Sequence, residues 1–339
     1  MAKSQTVTIK DVARKSGVSQ ATVSRVAGNY GYVSEANRRK VLAAIRELGY
    51  RPNVIARSMV TKSTHTIGLV VTDITNPFFA HLARGVESIT WPAGYTLILA
   101  NTDENPVHEE MVIRALLERQ VDGLILVPAS SQKSPFLEGV FQQEVPIVLL
   151  DRNVEGLSID AVMVDNENGA FQAVTHLINL SHRRIAMIID NLSISTNAER
   201  LEGYRHALFA AGLPFDETLV QSCSYTQQSA FEITFEMLCR TDHPTALFTA
   251  NNFMTLGALQ AIRRAGLSIP GNVALVGFDD LDWNVINSPQ ITAVTQPVAE
   301  MGNVAAQRLL ARLQGDKTPP MEIRLRTGFI IRESCGSNS

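Results

Sequence analysis

Cysteine is scarce in this 339-residue chain, with only Cys223, Cys239 and Cys335. An odd, widely spaced set excludes a disulfide framework and lacks the close pairing of a zinc site, so no metal is expected. No apolar run approaches the ~18–20 residues of a membrane span. The opening "MAKSQTVTIKDVARKSG" carries no apolar signal-peptide core, so a cytoplasmic setting without membrane contact is expected. Catalytic signatures are missing too: there is no G-x-S-x-G, G-x-G-x-x-G or Walker-type loop. "HEEMV" at 108–112 starts like a zinc-protease motif but has Val112 where the second histidine belongs. A non-enzyme without cofactor is expected.

Charge, by contrast, is unevenly spread. The net charge is −3, yet residues 1–62 hold 12 Lys and Arg against only Asp11, Glu35 and Glu47. That segment is therefore +9 and the remainder −12. A small basic head on an acidic body is the electrostatic footprint of a nucleic-acid-binding module fused to something else.

Capping signals divide the head, residues 1–50, into three short helices. Thr8 with Asp11 opens the first and Gly17 ends it; Ser19 opens the second and Gly28 ends it; Ser34 opens the third and Gly49 ends it. Ile9, Val12, Val23, Val26, Val41, Ile45 and Leu48 supply one small core. "SGVS" is a tight link of helix-turn-helix spacing. In that motif the second helix enters the major groove, which leaves Gln20, Ala21 and Arg25 facing base edges. Gln pairs with adenine, Arg with guanine, and Ala touches a thymine methyl. Ser19, Thr22 and Ser24 are short donors suited to phosphates, or simply to helix capping.

From Thr66 onward, short β-rich runs alternate with helical stretches. "TIGLVVTDI", "YTLILANT", "VDGLILVPA" and "PIVLLDRN" form one series; "RIAMIID", "LVQSCS", "TALFTAN" and "NVALVGFDD" form a second. This rhythm predicts an α/β body of two similar subdomains with parallel sheets. Ligands of such sheets lie beyond the carboxyl ends of strands. There the sequence places Asn76, Phe78, Phe79, Asp151, Arg152, Arg200, Tyr225, Asn251, Asp279 and Gln296. Taken singly, each suits a cap, a turn or a core position. Together, aromatic faces with carboxylate, guanidinium and amide groups suit a sugar and its vicinal hydroxyls.

"TIKDVARKSGVSQATVSRV", followed by "VS", a basic helix and "ELGYRPN", resembles the lactose/galactose-repressor family of bacterial transcription regulators. The body resembles that family's regulatory domain, and most closely that of ribose repressors and periplasmic ribose-binding proteins. The resemblance implies a helix-turn-helix head (1–50), a hinge helix and linker (51–63) and a two-lobed periplasmic-binding-protein-like body (64–339). Lobe 1 would comprise about 64–164 and 295–322, lobe 2 about 165–294 and 323–333. It implies base reading by Gln20, Ala21 and Arg25, and backbone contacts from Thr8, Ser19, Thr22, Asn29 and Tyr32. A hinge helix capped by Asn53 would press Met59 and Ala56 into the minor groove, with Arg57 beside the backbone. The ten strand-end residues fall on the family's ligand positions, with Phe79 and Tyr225 on opposite faces of a small pentose or ketose. Tyr225 stands where phenylalanine is usual, and Asn252 follows Asn251 where "ND" is common, a change expected to alter a helix cap more than the pocket.

The implied function is a homodimeric repressor that grips a near-palindromic double-stranded operator under control of a small sugar. Dimer contacts are expected near 77–90 and 107–119. A corepressor-dependent regulator is the alternative. A sugar-transport protein without DNA binding fits less well, because it needs no +9 head.

Overall fold

The computed structural model describes residues 7–28, 30–50, 63–142 and 145–336. The chain divides into two compact units, 1–64 and 65–339.

In the first unit, helices α1 (Ile9–Ser16), α2 (Gln20–Gly28) and α3 (Glu35–Leu48) enclose a single core. Val12, Val23, Val26, Val41 and Ala44 are buried there, with Ile9, Ile45, Leu48 and Tyr50 against them. The start of α1 is fixed by the Asp11 carboxylate, which accepts from the Thr8 N–H at 3.0 Å and its hydroxyl at 2.7 Å. These bonds hold the Asp11 carboxyl below its usual range. Ser19 Oγ accepts from the Thr22 N–H at 3.2 Å and so caps α2. Ser34 stands at the N-cap of α3 without a side-chain bond to that helix. Gly17 and Gly49 close α1 and α3 in the left-handed conformation that glycine adopts without steric penalty.

The second unit holds two six-stranded sheets of the same plan. The first contains β1 (Thr66–Val71), β2 (Thr96–Asn101), β3 (Gly123–Leu126), β4 (Ile147–Leu150), β5 (Asp160–Val164) and β11 (Glu322–Leu325), in the order β11-β5-β4-β3-β1-β2. The second contains β6 (Ile185–Ile189), β7 (Val220–Ser222), β8 (Ala246–Thr249), β9 (Ala274–Phe278), β10 (Thr292–Thr295) and β12 (Gly328–Ile330), in the order β12-β10-β9-β8-β6-β7. All pairings are parallel except β10 with β12. Strands β3, β4, β5, β6, β8 and β9 are buried along their whole length. That is why they read as continuous apolar runs rather than alternating ones.

The chain crosses between sheets three times, after β5, after β10 and after β11. The last crossing falls beyond Leu325 rather than at about 322, because Glu322–Leu325 pairs in register with Ala161–Val164 of the first sheet. "EIRLRTGFI" offers two short edge strands with no break between them, so only the partner strand decides which lobe receives each. Strand β10 likewise lies in the second sheet through Thr295, which pairs with Gly328 of β12.

Helix α4 (Pro77–Thr90) follows β1, and α12 (Val298–Leu313) follows β10; they pack against each other over the first sheet. Gly85 and Gly302 permit that approach: a Cβ on Gly85 would lie 2.4 Å from the Ala299 carbonyl oxygen. This crossing anchors Asn76, just before α4, and Gln296, just before α12, in one place. At the far end of the lobe, Asp160 accepts from Arg312 Nε at 2.6 Å, and Arg308 Nε lies 2.9 Å from its other oxygen.

Candidate functional site

The residues that were expected at strand ends converge on one cavity between the two sheets. All ten line it: Asn76, Phe78, Phe79, Asp151 and Arg152 from the first lobe, Arg200, Tyr225, Asn251 and Asp279 from the second, and Gln296 on the crossing strand. Asp190, Thr196 and Asn197 line it as well. The cavity measures about 40 Å³, room for roughly three waters and too little for a sugar ring unless the lobes part.

Two asparagines show how secondary structure aims these groups. Asn76 caps α4 by accepting the Phe78 N–H at 3.0 Å. Asn251 caps α10 (Asn252–Arg264) by accepting the Met254 N–H at 3.0 Å. Each then has its amide NH₂ left over: Asn76 donates to the Tyr225 hydroxyl at 2.7 Å, and Asn251 to Asp190 Oδ2 at 2.7 Å. A helix cap and a cavity donor are thus the same side chain, which an ionised aspartate at these positions does not provide.

Asp151 and Asp279 are counterparts, at the ends of β4 and β9. Both take positive φ, 68° and 78°, in a region non-glycine residues rarely occupy. Each N–H is held by the neighbouring strand, Asp151 by the Val162 carbonyl at 2.8 Å and Asp279 by the Val294 carbonyl at 3.0 Å. Backbone strain at these strand ends is thus the means by which both carboxylates are turned into the cavity. Their side chains differ. Asp279 Oδ1 accepts from Gln296 Nε2 at 2.6 Å. The Asp151 carboxylate accepts no hydrogen bond among the described residues, and its nearest cation is Arg152 Nε at 3.6 Å.

The arginines are largely committed. Arg152 forms a bidentate pair with Glu104 at 2.6 and 2.7 Å and also donates to the Pro128 carbonyl at 3.0 Å. Arg200 donates to Asn166 Oδ1 at 2.9 Å and the Ala250 carbonyl at 2.6 Å, and its guanidinium lies 3.7 Å from the Phe278 ring centroid. Asp190 accepts from Asn197 and Asn251. Burial pushes the Asp151 carboxyl up to about 6, against the lowering pull of Arg152 and Arg200. Burial raises Asp190 and Asp279 in the same direction.

Phe79 and Tyr225 both line the cavity, each beside a second aromatic ring. Phe79 packs edge-on to Phe78 at 5.1 Å between centroids, and Tyr225 edge-on to Phe253 at 5.3 Å. The Tyr225 hydroxyl, which distinguishes this chain from a phenylalanine pocket, is bonded to Asn76. Asn252 does not cap its helix, since Asn251 does. Its Nδ2 instead donates to Asn76 Oδ1 across the cleft at 2.8 Å. Tyr225 and Asn252 therefore both hold the first lobe through one side chain. Asp190 was missed, although it ends β6 as Asp151 ends β4 and the same strand-end rule applies to it. Thr196 and Asn197 sit in the first turn of α8 (Ser195–Ala210), where nothing local separates a ligand group from an ordinary helix start.

In the head, Gln20, Ala21 and Arg25 lie exposed on α2, as side chains that read base edges must. A Cβ on Gly31, at φ 69°, would lie 3.5 Å from Arg25 Cδ. Thr22 is bonded to Ser19 at 2.9 Å, and Ser24 to the Tyr30 hydroxyl at 2.6 Å, so both hydroxyls already serve the head internally. Thr8 is engaged by Asp11, and Tyr32 is 89% exposed. Asn29, Asn53, Ala56, Arg57 and Met59 lie outside the described residues. Among the described residues, no cluster suited to a metal ion occurs and no helix is long and apolar enough to cross a membrane.

Comparison with known proteins agrees with this layout. Residues 8–53 match the bacterial regulatory proteins of the lacI family, and residues 64–333 match the family of periplasmic binding proteins and sugar binding domain of LacI family. Catabolite control protein A of Priestia megaterium is 37% identical over 313 residues, 92% of this chain and 94% of that one. The ribose operon repressor of Escherichia coli K12 is 36% identical over 330 residues, 97% of this chain and 99% of that one. The lac repressor dimer bound to operator and the anti-inducer ONPF superimposes with a TM-score of 0.87 at 27% identity, covering 98% and 99% of the two chains.

Proposed function

Because this chain belongs to the lacI family of bacterial regulatory proteins, we propose that it is a dimeric transcriptional repressor whose hold on a near-palindromic operator is set by a small sugar bound between its two lobes. Family membership carries the coarser statement, a DNA-binding transcriptional regulator rather than an enzyme. The effector assignment rests on one observation: thirteen residues of both lobes, almost all polar, line a single cavity. Sugar hydroxyls are donors and acceptors at close spacing, and amides, carboxylates and guanidinium groups on rigid strand ends match them.

The mechanism follows from where those groups sit. Both sides of the cavity belong to different sheets joined by three crossings, so a ligand that bonds to both favours one spacing of the lobes over others. A change of spacing repositions whatever the first lobe holds, including the point where the head's linker joins it. The base-reading residues are Gln20, Ala21 and Arg25. Thr8, Ser19, Thr22, Asn29 and Tyr32 contact the DNA backbone, and Asn53, Ala56, Arg57 and Met59 form the hinge contribution.

Two measurements test this. In a thermal-shift panel of pentoses, ketoses, hexoses and purines, a sugar at about 100 times its Kd raises stability by roughly 2.7 kcal/mol. A response to purines alone removes the sugar reading. For DNA, Arg25→Ala is expected to cost about 1–3 kcal/mol on operator and to relax specificity at one base position. Equal loss on operator and random duplex removes the base-reading role.

A further inference from the structure

The cavity lining carries more carboxylates than guanidinium groups. Asp151, Asp190 and Asp279 line it against Arg152 and Arg200, and Arg152 is neutralised by its bidentate pair with Glu104. Arg152 also lies 3.6 Å from Asp151, so four carboxylates, Glu104 included, share two guanidinium groups. Arg200 itself forms no ion pair within 4.0 Å among the described residues; its bonds go to a side-chain amide and a carbonyl. Free hydrogen-bonding capacity remains beside this charge imbalance. The Asp151 carboxylate, with its residue only 6% exposed, takes no hydrogen bond, and Gln296 Oε1 is a buried acceptor without a donor. Unused donors face them among the described residues: Arg152 Nε is buried without an acceptor, and Arg200 bonds through Nε and Nη1 only.

We propose that the effector is a small polyhydroxylated amine, an amino sugar in its protonated form, whose ammonium group is received among Asp151, Asp190 and Asp279. This rests on the reading of the cavity as the effector site and names the class of compound it takes. An ammonium supplies three donors and one positive charge to a site short of positive charge. A neutral sugar supplies donors and leaves the buried charge uncompensated. A sugar phosphate adds negative charge to an acidic enclosure and is rejected. The raised carboxyls described above are what uncompensated buried charge produces.

The test is calorimetric titration of the full-length protein at neutral pH with matched pairs: glucose and glucosamine, galactose and galactosamine, mannose and mannosamine. Ribose, other neutral pentoses, N-acetylglucosamine and ribose 5-phosphate are included alongside. At least one amine is expected to bind roughly tenfold or more tightly than its parent, with the acetylated compound and the phosphate weaker. Asp151→Asn is expected to bring that ratio close to one. Tighter binding of ribose or of any neutral parent than of every amine overturns the proposal while leaving the sugar reading intact. Absence of binding by every compound overturns both. A ratio unaffected by Asp151→Asn and by Asp190→Asn also overturns it, because the charge then plays no part.

Discussion

The two lobes repeat one plan with different chemistry. Asp151 and Asp279 end corresponding strands with the same positive φ and the same bond to the adjacent strand, yet Asp279 is held by Gln296 whereas Asp151 accepts nothing. The floors differ likewise. Where β5 begins, Asp160 joins Arg308 and Arg312 in a buried ionic cluster. Where β10 begins, Thr292 occupies the equivalent place, accepting the Arg332 N–H at 2.9 Å. Topology therefore fixes where a polar group must stand, and the side chain is free to become staple or recognition group.

The largest expected effect breaks the first lobe's staple. Asp160→Ala takes the ion pair from Arg312 and leaves Arg308, 9% exposed, with Asp316 alone as its ion-pair partner, and is expected to cost about 3–4 kcal/mol. Thr292→Val, the matching change in the second lobe, loses hydroxyl bonds only and should cost about 1–2 kcal/mol. Urea denaturation of both variants checks this, and equal losses would dissolve the contrast.

The next effect concerns Asp151. Its folded carboxyl, pushed up to about 6 from 3.8, binds a proton that the unfolded chain has already released. Stability of the unliganded protein therefore falls as pH rises from about 4 to about 6, by up to about 3 kcal/mol. The groups facing it are Arg152, Arg200, Asp279 and Glu104. Asp151→Asn is expected to raise Tm above pH 6 and to flatten that decline. Asp279→Asn should gain less, because it disturbs the bond from Gln296. Thermal melts across pH compare the two directly, and an unchanged profile in Asp151→Asn contradicts the assignment.

Closing strength across the cleft is the smallest effect. Tyr225→Phe removes one of the two bonds to Asn76 and is expected to cost about 1 kcal/mol of stability. It should also admit the effector several-fold faster, as read by stopped-flow fluorescence. An unchanged association rate would mean that the Asn76 contacts do not gate the cavity.

Much of this layout is legible locally. The strand-and-helix rhythm, the caps at Thr8 and Ser19, the exposed face of α2 and the ten strand-end residues follow from short-range patterns. Asp190 was legible by the same rule and was overlooked. The roles of Asn252 and of Glu322–Leu325 were not legible, since each depends on a partner more than 150 residues away.

By itself the sequence determined the local elements: which stretches cap, wind, extend and expose polar ends, because those preferences act over a few residues. Only the tertiary structure decided that Asp151, Asp190 and Asp279 share one cavity with Arg152 and Arg200. It also decided that Asn76 is claimed by both Tyr225 and Asn252. Charge balance and burial arise from groups brought together across two sheets, and no local pattern records which groups will meet.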